Sequence, residues 1–367
     1  MIELDKRIGI LTFHNTTNYG AALQAYALQK KINELGYYCD TIKYKNENID
    51  KIYRPQKLSD IKNIKELAKF ILLNNGKKKL YERFQKFYNE NMNFSFEVDK
   101  SNITKLNRIY DKFIVGSDQV WNLDLSYQDY NYYLQFVENN NKKNAYAASF
   151  GYLDIPEKYR VNSICELKKF KNIGVREIQG RHIINKYLNR DVSVVLDPTL
   201  LLKKSDWLNL IKSKKNNFEK DKFVLLYIVS PNDEIIEFSK KIAEKYKAKI
   251  IWINNSTKKI KGIYNMKNSD PIDFLYYIYN SKCVITTSFH GVALSIALNK
   301  DFYFGLSNEK NNFNSRIESL TEILELKNRN LNKEEFCAID YKKVNMLLEK
   351  EQKNSLNYLK KILEEKI

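Results

Sequence analysis

The stretch Ile8-Gly9-Ile10-Leu11-Thr12-Phe13 decides the fold, because it is a mainly apolar run without polar alternation. Such a run is typical of a strand that is buried on both faces of a parallel sheet. After a polar loop, apolar residues recur at helical spacing from Ala21 to Leu35, and Gly36 provides a helix stop. The next segment, Tyr38 to Tyr44, reads as a strand and completes a strand-helix-strand unit, which predicts a parallel α/β sheet.

The same alternation of strands and helices continues along the chain in two series. Lys- and Asn-rich residues 45–110 interrupt it, and we interpret them as an insertion with two helices near 61–73 and 78–90. The strands predicted for the first series after the insertion are 113–115, 145–149, 173–175 and 192–196. Those of the second series are 222–229, 249–253, 283–286 and 301–304, with helices near 232–246, 270–280 and 291–299.

The sequence therefore predicts an α/β protein with two Rossmann-like domains that face a cleft. We expect the first domain to cover 1–204, the second to cover 205–340, and a helical segment over 341–367 to pack back on the first domain. Asp197-Pro198 marks the break between the two series, because proline restricts the residue before it. Ligands of open parallel sheets bind outside the carboxyl ends of the strands, so functional groups are expected there.

Composition assigns a compartment but no partner. The net charge of +18, from 62 Lys+Arg against 44 Asp+Glu, attracts anions, yet an AT-rich genome would give the same Lys, Asn and Ile bias. No apolar run approaches the roughly 20 residues of a membrane-spanning helix, and the start of the chain has no apolar signal core. The four cysteines are scattered, without a Cys-x-x-Cys pair. We therefore expect a cytoplasmic protein with no structural metal site and no nucleic-acid partner.

The loop that joins the first strand to the first helix is one candidate binding site. Helix amino termini offer unpaired N–H groups and a partial positive charge, which suit an anion or a sugar hydroxyl. Asn18, Tyr19 and Gly20 lie at this position. Alternatively, Asn18 merely caps the helix and Gly20 permits close packing.

A second candidate is the loop Gly116 to Asn122, which follows an apolar strand. An exposed indole at Trp121 could stack on a sugar ring while neighbouring polar groups hold its hydroxyls. The alternative is a turn with a tryptophan in the core. The polar residues of this loop that we expect to bind a ligand are Ser117, Asp118, Gln119 and Asn122.

Two further strand ends carry chemistry. Arg176 presents a planar fork that suits a carboxylate or phosphate, although an Arg-Glu pair is usually a surface feature. His290-Gly291 follows a strand that ends in hydroxyl residues and opens a helix rich in small residues. A histidine at this position can exchange protons, although a lone histidine is more often structural. No second His or Cys neighbours His290 in sequence, so a metal site is not expected there.

Taken in order, these segments resemble the polysaccharide pyruvyl transferase family. The resemblance runs from about residue 7 to 325, and the insertion matches least. Each segment is weakly specific alone, but several in the same order, each at a strand end, are specific. The matching stretches are 8–13 through 18–21 to 23–28, then 113–122, 146–151, 175–177, 195–201 and 288–291.

The resemblance implies a fold like the GT-B glycosyltransferases, with phosphoenolpyruvate as donor co-substrate, a saccharide as acceptor and no cofactor. It suggests catalytic roles for His290 and Arg176 in the donor site. Characterised members often carry an arginine two residues before the matching histidine, where this chain has Ser288. That departure calls for another cation, for which Arg316 is our candidate. Ser288, Gly291 and Arg316 are thus expected to bind the donor, and the loops of the first domain to bind the acceptor.

Two other functions stay open from the sequence. One is a glycosyltransferase on the same fold that uses a nucleotide sugar, and the other is a non-catalytic relative that binds a glycan. The positive charge also leads us to expect reversible contact with the inner face of an anionic membrane, where a lipid-linked oligosaccharide would be the acceptor. The insertion, from Lys45 to Asn91, is the expected face.

Overall fold

Two parallel sheets form the frame of the molecule. The computed structural model describes residues 6–212, 222–228, 233–256, 258–306, 314–333 and 337–366. The strands of the first sheet are β1 (Arg7–Leu11), β2 (Tyr38–Thr41), β3 (Lys112–Val115), β4 (Lys143–Ala148), β5 (Asn172–Val175) and β6 (Ser193–Val194). Those of the second are β7 (Phe223–Tyr227), β8 (Lys249–Ile253), β9 (Ile263–Met266), β10 (Val284–Thr286) and β11 (Phe302–Phe304). Their orders are β2-β1-β3-β4-β5-β6 and β11-β10-β7-β8-β9.

Helices connect the strands and cover the sheets. In the first series they are α1 (Tyr19–Glu34), α2 (Glu47–Tyr53), α3 (Ile64–Asn91), α4 (Glu157–Leu167) and α5 (Ile178–Leu188). The helices that follow are α6 (Lys204–Lys212), α7 (Asp233–Tyr246), α8 (Pro271–Asn280), α9 (Phe289–Ala297), α10 (Ser315–Ile323) and α11 (Tyr341–Glu364). Crossover helices between parallel strands bury both faces of a sheet, which explains why the strands read as continuous apolar runs.

The insertion differs from its prediction. Residues 64–91 form the single 28-residue helix α3, so the two separate helices near 61–73 and 78–90 are wrong. Gly76 weakens a helix by only about 1 kcal/mol relative to alanine. The helix continues past it because its second half buries Phe84 and Phe87 in the core. Packing therefore outweighs the local preference for a break.

One strand, β9, was not predicted. It pairs with β8 at the edge of the second sheet and is only partly buried. An edge strand of this kind has no continuous apolar run, so Ile263-Tyr264-Asn265-Met266 lacks the signal that marked the inner strands.

The helix α11 lies against the first sheet. The Ser355 hydroxyl accepts a hydrogen bond of 2.9 Å from the Leu196 amide. The Tyr358 hydroxyl donates to the Ala145 carbonyl at 3.1 Å, and the Lys112 ammonium donates to the Leu363 carbonyl at 3.1 Å. None of the described helices has the length and apolar composition that crossing a membrane requires.

Aromatic and ionic contacts join the two domains on one side. The ring of Tyr19, which opens α1, stacks on Phe274 of α8 with centroids 4.7 Å apart, and its hydroxyl donates to the Ser269 carbonyl at 3.1 Å. Arg83 of α3 contacts the carboxylates of Asp270 and Asp273 at 3.0 and 2.6 Å. These contacts hold the start of α9 over the carboxyl end of the first sheet.

Candidate functional site

Three loops of the first sheet and one helix of the second domain converge on a single cluster. Arg176 follows β5, and its Nη1 lies 2.9 Å from Asp197 Oδ2. Its Nη2 lies 3.2 Å from Oδ1 of Asp118, which follows β3. His290 of α9 approaches from the second domain, with Nε2 at 3.6 Å from Asp197 Oδ2. Arg176, Asp118 and His290, which the sequence places after the ends of three strands, thus lie in one cluster.

Asp197 is the centre of this cluster, and the sequence analysis missed it as a site residue. Its Oδ2 also accepts the Ser117 hydroxyl at 2.9 Å, while Oδ1 accepts the Thr199 amide at 3.0 Å and hydroxyl at 2.7 Å. Burial alone would raise the pKa of Asp197, but His290, Arg176 and Thr199 hold it well below its usual range. The carboxylate therefore stays charged and fixes the groups around it.

His290 occupies a recess that the first domain completes. Its side chain is buried, and a Cβ added to Gly20 would lie 2.1 Å from the imidazole Nδ1. Any larger residue at position 20 would collide with the ring. Gly20 thus makes room for His290, and its predicted contact with the acceptor stays a prediction.

Ser288 and Gly291 both have structural roles at the start of α9. The Ser288 hydroxyl caps the helix by accepting from the Gly291 amide at 3.4 Å. A Cβ at Gly291 would lie 2.3 Å from the Thr286 hydroxyl, so only glycine fits this turn. Both residues shape the backbone that presents His290. Their predicted contact with the donor stays a prediction.

Two guanidinium groups flank the ring of Phe289, which precedes the histidine. The Arg176 Cζ lies 4.6 Å from the ring centroid and the Arg316 Cζ lies 5.9 Å from it. Burial, together with the charge of Arg176, lowers the pKa of Arg316 to about 10, so the group remains charged at neutral pH. Burial lowers the pKa of Arg176 as well, but Asp118 and Asp197 outweigh it and the pKa is raised. Arg316, proposed from the sequence as the extra cation, thus lies beside the cluster.

The cluster also contains buried polar atoms that lack hydrogen bonds. Within the described part of the chain, no partner is found for Gln119 Nε2, Arg176 Nε, Glu177 Oε2 or His290 Nε2. An unmade hydrogen bond at a buried group costs about 1–3 kcal/mol, so such groups are rare away from functional sites. Burial raises the pKa of Glu177, whose other oxygen accepts the Ser149 hydroxyl at 2.9 Å. Four such atoms in one cluster mark a polar site.

Trp121 does not line this site. Its side chain is 0% exposed and packs on Tyr133, Phe150 and Phe170 with ring centroids 5.8, 5.0 and 5.7 Å away. An indole enclosed in this way cannot stack on a sugar, so that prediction is wrong and the alternative of a core tryptophan is correct. Asn122 is equally structural, because its Oδ1 accepts the amides of Asp124 and Leu125, both at 3.2 Å.

The remaining acceptor candidates fall in different places. Asn18 is exposed and caps α1, since its Oδ1 accepts the Ala21 amide at 3.2 Å. Tyr19 is buried between the domains with its hydroxyl already bonded, so the predicted contact with a sugar is wrong in this structure. Ser117, Asp118 and Gln119 belong to the cluster around Asp197 and Arg176. No group of three or more His, Cys, Asp or Glu side chains in the described ranges could hold a metal ion.

Comparison with known proteins gives the family. Residues 18–310 match the family described as polysaccharide pyruvyl transferase, which is most of the chain. The chain belongs to this family. The matched range of this polysaccharide pyruvyl transferase family member includes Arg176, Asp197 and His290, and it ends before Arg316. No curated protein matches the sequence.

Solved structures show the fold of this family member. A UDP-GlcNAc 2-epimerase from Neisseria meningitidis bound to UDP-GlcNAc superposes with a TM-score of 0.50 at 10% identity, over 97% of this chain and 100% of that chain. The wall teichoic acid polymerase TagF gives 0.49 at 12% identity over 97% and 88%. UGT89C1 from Arabidopsis thaliana gives 0.41 at 8% identity over 98% and 95%. At such identities the likeness bears on the fold alone, and the epimerase, with the two parallel sheets of this chain, confirms the predicted pair of Rossmann-like domains in a GT-B fold.

Proposed function

We propose that this protein transfers pyruvate from phosphoenolpyruvate to two hydroxyls of a saccharide and forms a ketal during cell-surface glycan synthesis. The family membership supports the class of reaction. The observation that carries the proposal is the cluster of His290 with two buried or half-buried guanidiniums at the junction of the domains. A proton-exchanging group next to paired cations suits a donor that carries both a carboxylate and a phosphate.

The cations would act on the donor in different ways. Arg176 has both terminal nitrogens on aspartates and a side chain that is 1% exposed, so it would hold the cluster in shape. Arg316 lies beside the ring of Phe289, with its Cζ 5.9 Å from the centroid, and would be the group that meets the donor anion. Guanidinium binds carboxylate and phosphate through two parallel hydrogen bonds, and it stabilises the charge that develops as phosphate leaves.

The reaction balances without a cofactor. His290 gives a proton to the methylene carbon of the donor, which becomes the methyl group, and the first sugar hydroxyl attacks C2. The C2–O bond to phosphate breaks, and the second hydroxyl then attacks C2. The two hydroxyl protons account for the proton on the methyl group and the proton taken up by phosphate. A positioned acid/base of this kind contributes roughly 10²–10⁴-fold to the rate.

Asp197 supports this role of His290. The buried Asp197 carboxylate faces the imidazole and orients the ring that would carry the proton. The distance of 3.6 Å leaves the ring oriented but its Nε2 without a short hydrogen bond to the carboxylate. The ring is therefore held by packing on Gly20 and attracted by Asp197, while its nitrogen stays available for the reaction.

Release of the leaving group tests the proposal. The protein is mixed with a glycan fraction from its host and either phosphoenolpyruvate or a UDP-sugar, and free phosphate and UDP are measured. Phosphate release that needs both donor and glycan is expected. Release of UDP instead would replace the proposal with a nucleotide-sugar glycosyltransferase. No turnover with either donor, but retention of the glycan, would favour a non-catalytic glycan-binding relative.

We also propose that the protein works in the cytoplasm and contacts the inner face of an anionic membrane through its insertion. Of the fourteen large apolar side chains exposed among the described residues, six lie within 52–73. Exposed lysines at 57, 62 and 77–79 lie in the same segment. Apolar side chains that insert between headgroups and lysines that attract anionic lipid act together at a membrane surface. The six apolar residues are Ile52, Leu58, Ile64, Leu67, Ile71 and Leu73.

Vesicle sedimentation tests this contact. The protein should pellet with vesicles that contain phosphatidylglycerol at low salt, and less at 1 M salt, where the Debye length is about 3 Å. Replacing Ile64 and Ile71 together by glutamate should reduce binding. The matched control replaces Val161 and Met346, which are 73% and 67% exposed against 85% and 70% for the isoleucines, by glutamate and should bind like the wild type. Absence of binding at low salt, or equal loss in both double variants, would refute the contact.

A further inference from the structure

A polar cavity lies at the carboxyl ends of β1 and β2. It measures about 230 Å³ and is walled by α2 and α3 of the insertion. Pockets for drug-sized ligands usually run to roughly 300–1,000 Å³, so this cavity suits a smaller group such as one sugar ring. One of its lining residues is His14, which lies in the loop after β1 and has no part in the cluster around His290.

The protonation of His14 follows from its hydrogen bond. Its Nδ1 lies 3.1 Å from the Thr12 carbonyl oxygen, which can only accept, so Nδ1 carries the proton. Burial, with the charge of Lys43 adding to it, lowers the pKa of His14 to about 4 despite that bond, and the ring is neutral at physiological pH. Nε2 then has a free lone pair. The side chain is 93% buried and lines the cavity, and Nε2 has no hydrogen bond to any residue that the structure describes.

A fixed polar network forms the neighbouring wall. Asn15, at the left-handed φ of 55°, donates from Nδ2 to Asp50 Oδ1 at 2.9 Å. Its Oδ1 accepts the Tyr81 hydroxyl at 2.9 Å and the Gln85 amide at 2.8 Å. The network ties the loop after β1 to α2 and α3, so the wall is in place before a ligand arrives. The second carboxylate oxygen of Asp50 remains to accept a hydroxyl.

Aromatic faces provide the rest of the lining. The hydroxyl of Tyr44 is bonded to Asp129 at 2.7 Å, and that of Tyr88 to the Thr16 carbonyl at 3.1 Å. With their hydroxyls engaged, these side chains present rings to the cavity. Phe94 lies beside the imidazole of His14, with centroids 5.7 Å apart. Ring faces next to hydrogen-bond acceptors match a sugar, which has apolar C–H faces and polar edges.

The charges of the cavity favour a neutral ligand over an anion. Lys43 lies 3.4 Å from Glu97, and Arg54 lies 2.8 Å from Asp60. The charge of Lys45 acts on Asp50, whose pKa burial nevertheless raises. The three cations of the lining, Lys43, Lys45 and Arg54, are thus matched by Asp50 and Glu97 in the lining and by Asp60 outside it. A phosphate or nucleotide would find no excess of positive charge here, in contrast to the cluster with Arg176 and Arg316.

We infer that this cavity is a saccharide-binding subsite that holds one ring of the acceptor glycan, with His14 Nε2 accepting a sugar hydroxyl. The inference deepens the proposed function and rests on it in one respect, namely that the bound saccharide is the acceptor of the reaction. It moves acceptor recognition from the loop around Trp121 to the pocket between the loop after β1 and the insertion. Lys45 to Asn91 would then carry glycan specificity as well as membrane contact.

The chain has three histidines, His14, His182 and His290, which makes imidazole NMR a direct test. Long-range proton–nitrogen spectra of the whole ¹⁵N-labelled protein should show His14 with its proton on Nδ1. Methyl glycosides of glucose, galactose, mannose and N-acetylglucosamine are then added one at a time, and inorganic phosphate separately. At least one glycoside should shift His14 Nε2 and leave exposed His182 unmoved. Phosphate should leave His14 unmoved and shift His290.

Variants separate binding from folding. His14→Phe keeps a ring but removes the acceptor, and it should weaken the best glycoside about tenfold in saturation-transfer measurements, while His182→Phe changes nothing. No shift of His14 with any glycoside, or a shift with phosphate alone, would overturn the subsite whether or not pyruvate is transferred. A glycoside shift at His14 without a phosphate effect at His290 would instead leave the subsite standing and count against the proposed donor site.

Discussion

Removing the charge of Asp197 should destabilise the protein strongly. Asp197→Asn keeps the shape of the side chain but leaves Arg176, whose side chain is 1% exposed, with Asp118 as its carboxylate partner at 3.2 Å. Breaking a buried ion pair by neutralising one partner costs about 3–5 kcal/mol, because the other charge stays buried. An amide nitrogen in the place of Oδ2 would also face the Ser117 hydroxyl and the Arg176 guanidinium, which both donate to that oxygen. We therefore expect Asp197→Asn to lower the free energy of unfolding by about 3–5 kcal/mol.

Urea unfolding with a matched control measures it. Asp191→Asn makes the same change at an exposed pair, since Asp191 lies 2.7 Å from Arg181 with side chains 69% and 49% exposed. Exposed pairs contribute only about 0–1 kcal/mol, so this variant should unfold like the wild type. The slope of the unfolding free energy against urea should be unchanged in both variants. Equal stability of the two variants would refute the central position that we give Asp197.

Three further predictions follow from the same contacts. Gly20→Ala places a Cβ 2.1 Å from the His290 ring. Turnover should fall about 10²-fold, while the far-UV circular dichroism stays that of the wild type. Unchanged turnover would show that the ring has room to move. Trp121→Ala should cost about 3–5 kcal/mol in urea unfolding and leave the KM for the acceptor glycan unchanged in the folded fraction, whereas a raised KM would restore its role in sugar binding. The basic neighbours of Asp118 and Asp197 lower the pKa values of these carboxyls despite burial, so both groups stabilise the fold above about pH 4 and lose that effect as the pH falls further. The free energy of unfolding in urea should therefore differ less between pH 3 and pH 7 in Asp197→Asn than in the wild type.

The sheets could be predicted from the sequence because inner strands carry continuous apolar runs. Every described strand except β2 and β9 coincides with such a run, and β2, which reads Tyr-Cys-Asp-Thr, was predicted as part of the strand-helix-strand unit. The edge strand β9 is half-buried and gives no such signal. The break predicted within residues 61–90 failed for a different reason. Local propensity at Gly76 is worth about 1 kcal/mol, and the core contacts of Phe84 and Phe87 outweigh it.

The site could be predicted only in part. His290 and Arg176 were found because strand ends of parallel sheets converge, and the structure brings them together. Trp121 was misassigned because a loop sequence does not reveal which side chains turn inward. Asp197 was read as a chain break since proline follows it, although it also follows the apolar residues 194–196. The contact of Gly20 with His290 joins distant parts of the chain, so no local pattern could disclose it.

The mass of the host glycan tests the central claim most directly. The glycan is isolated after incubation with phosphoenolpyruvate and either the wild-type protein or His290→Gln, whose fold is checked by circular dichroism. Ketal formation adds pyruvic acid, which the co-substrate supplies, and removes water. The wild type should therefore add about 70 Da per modified unit. The variant should leave the glycan mass unchanged. A folded variant that adds the same mass at the wild-type rate, or a wild type that adds none, would contradict the account.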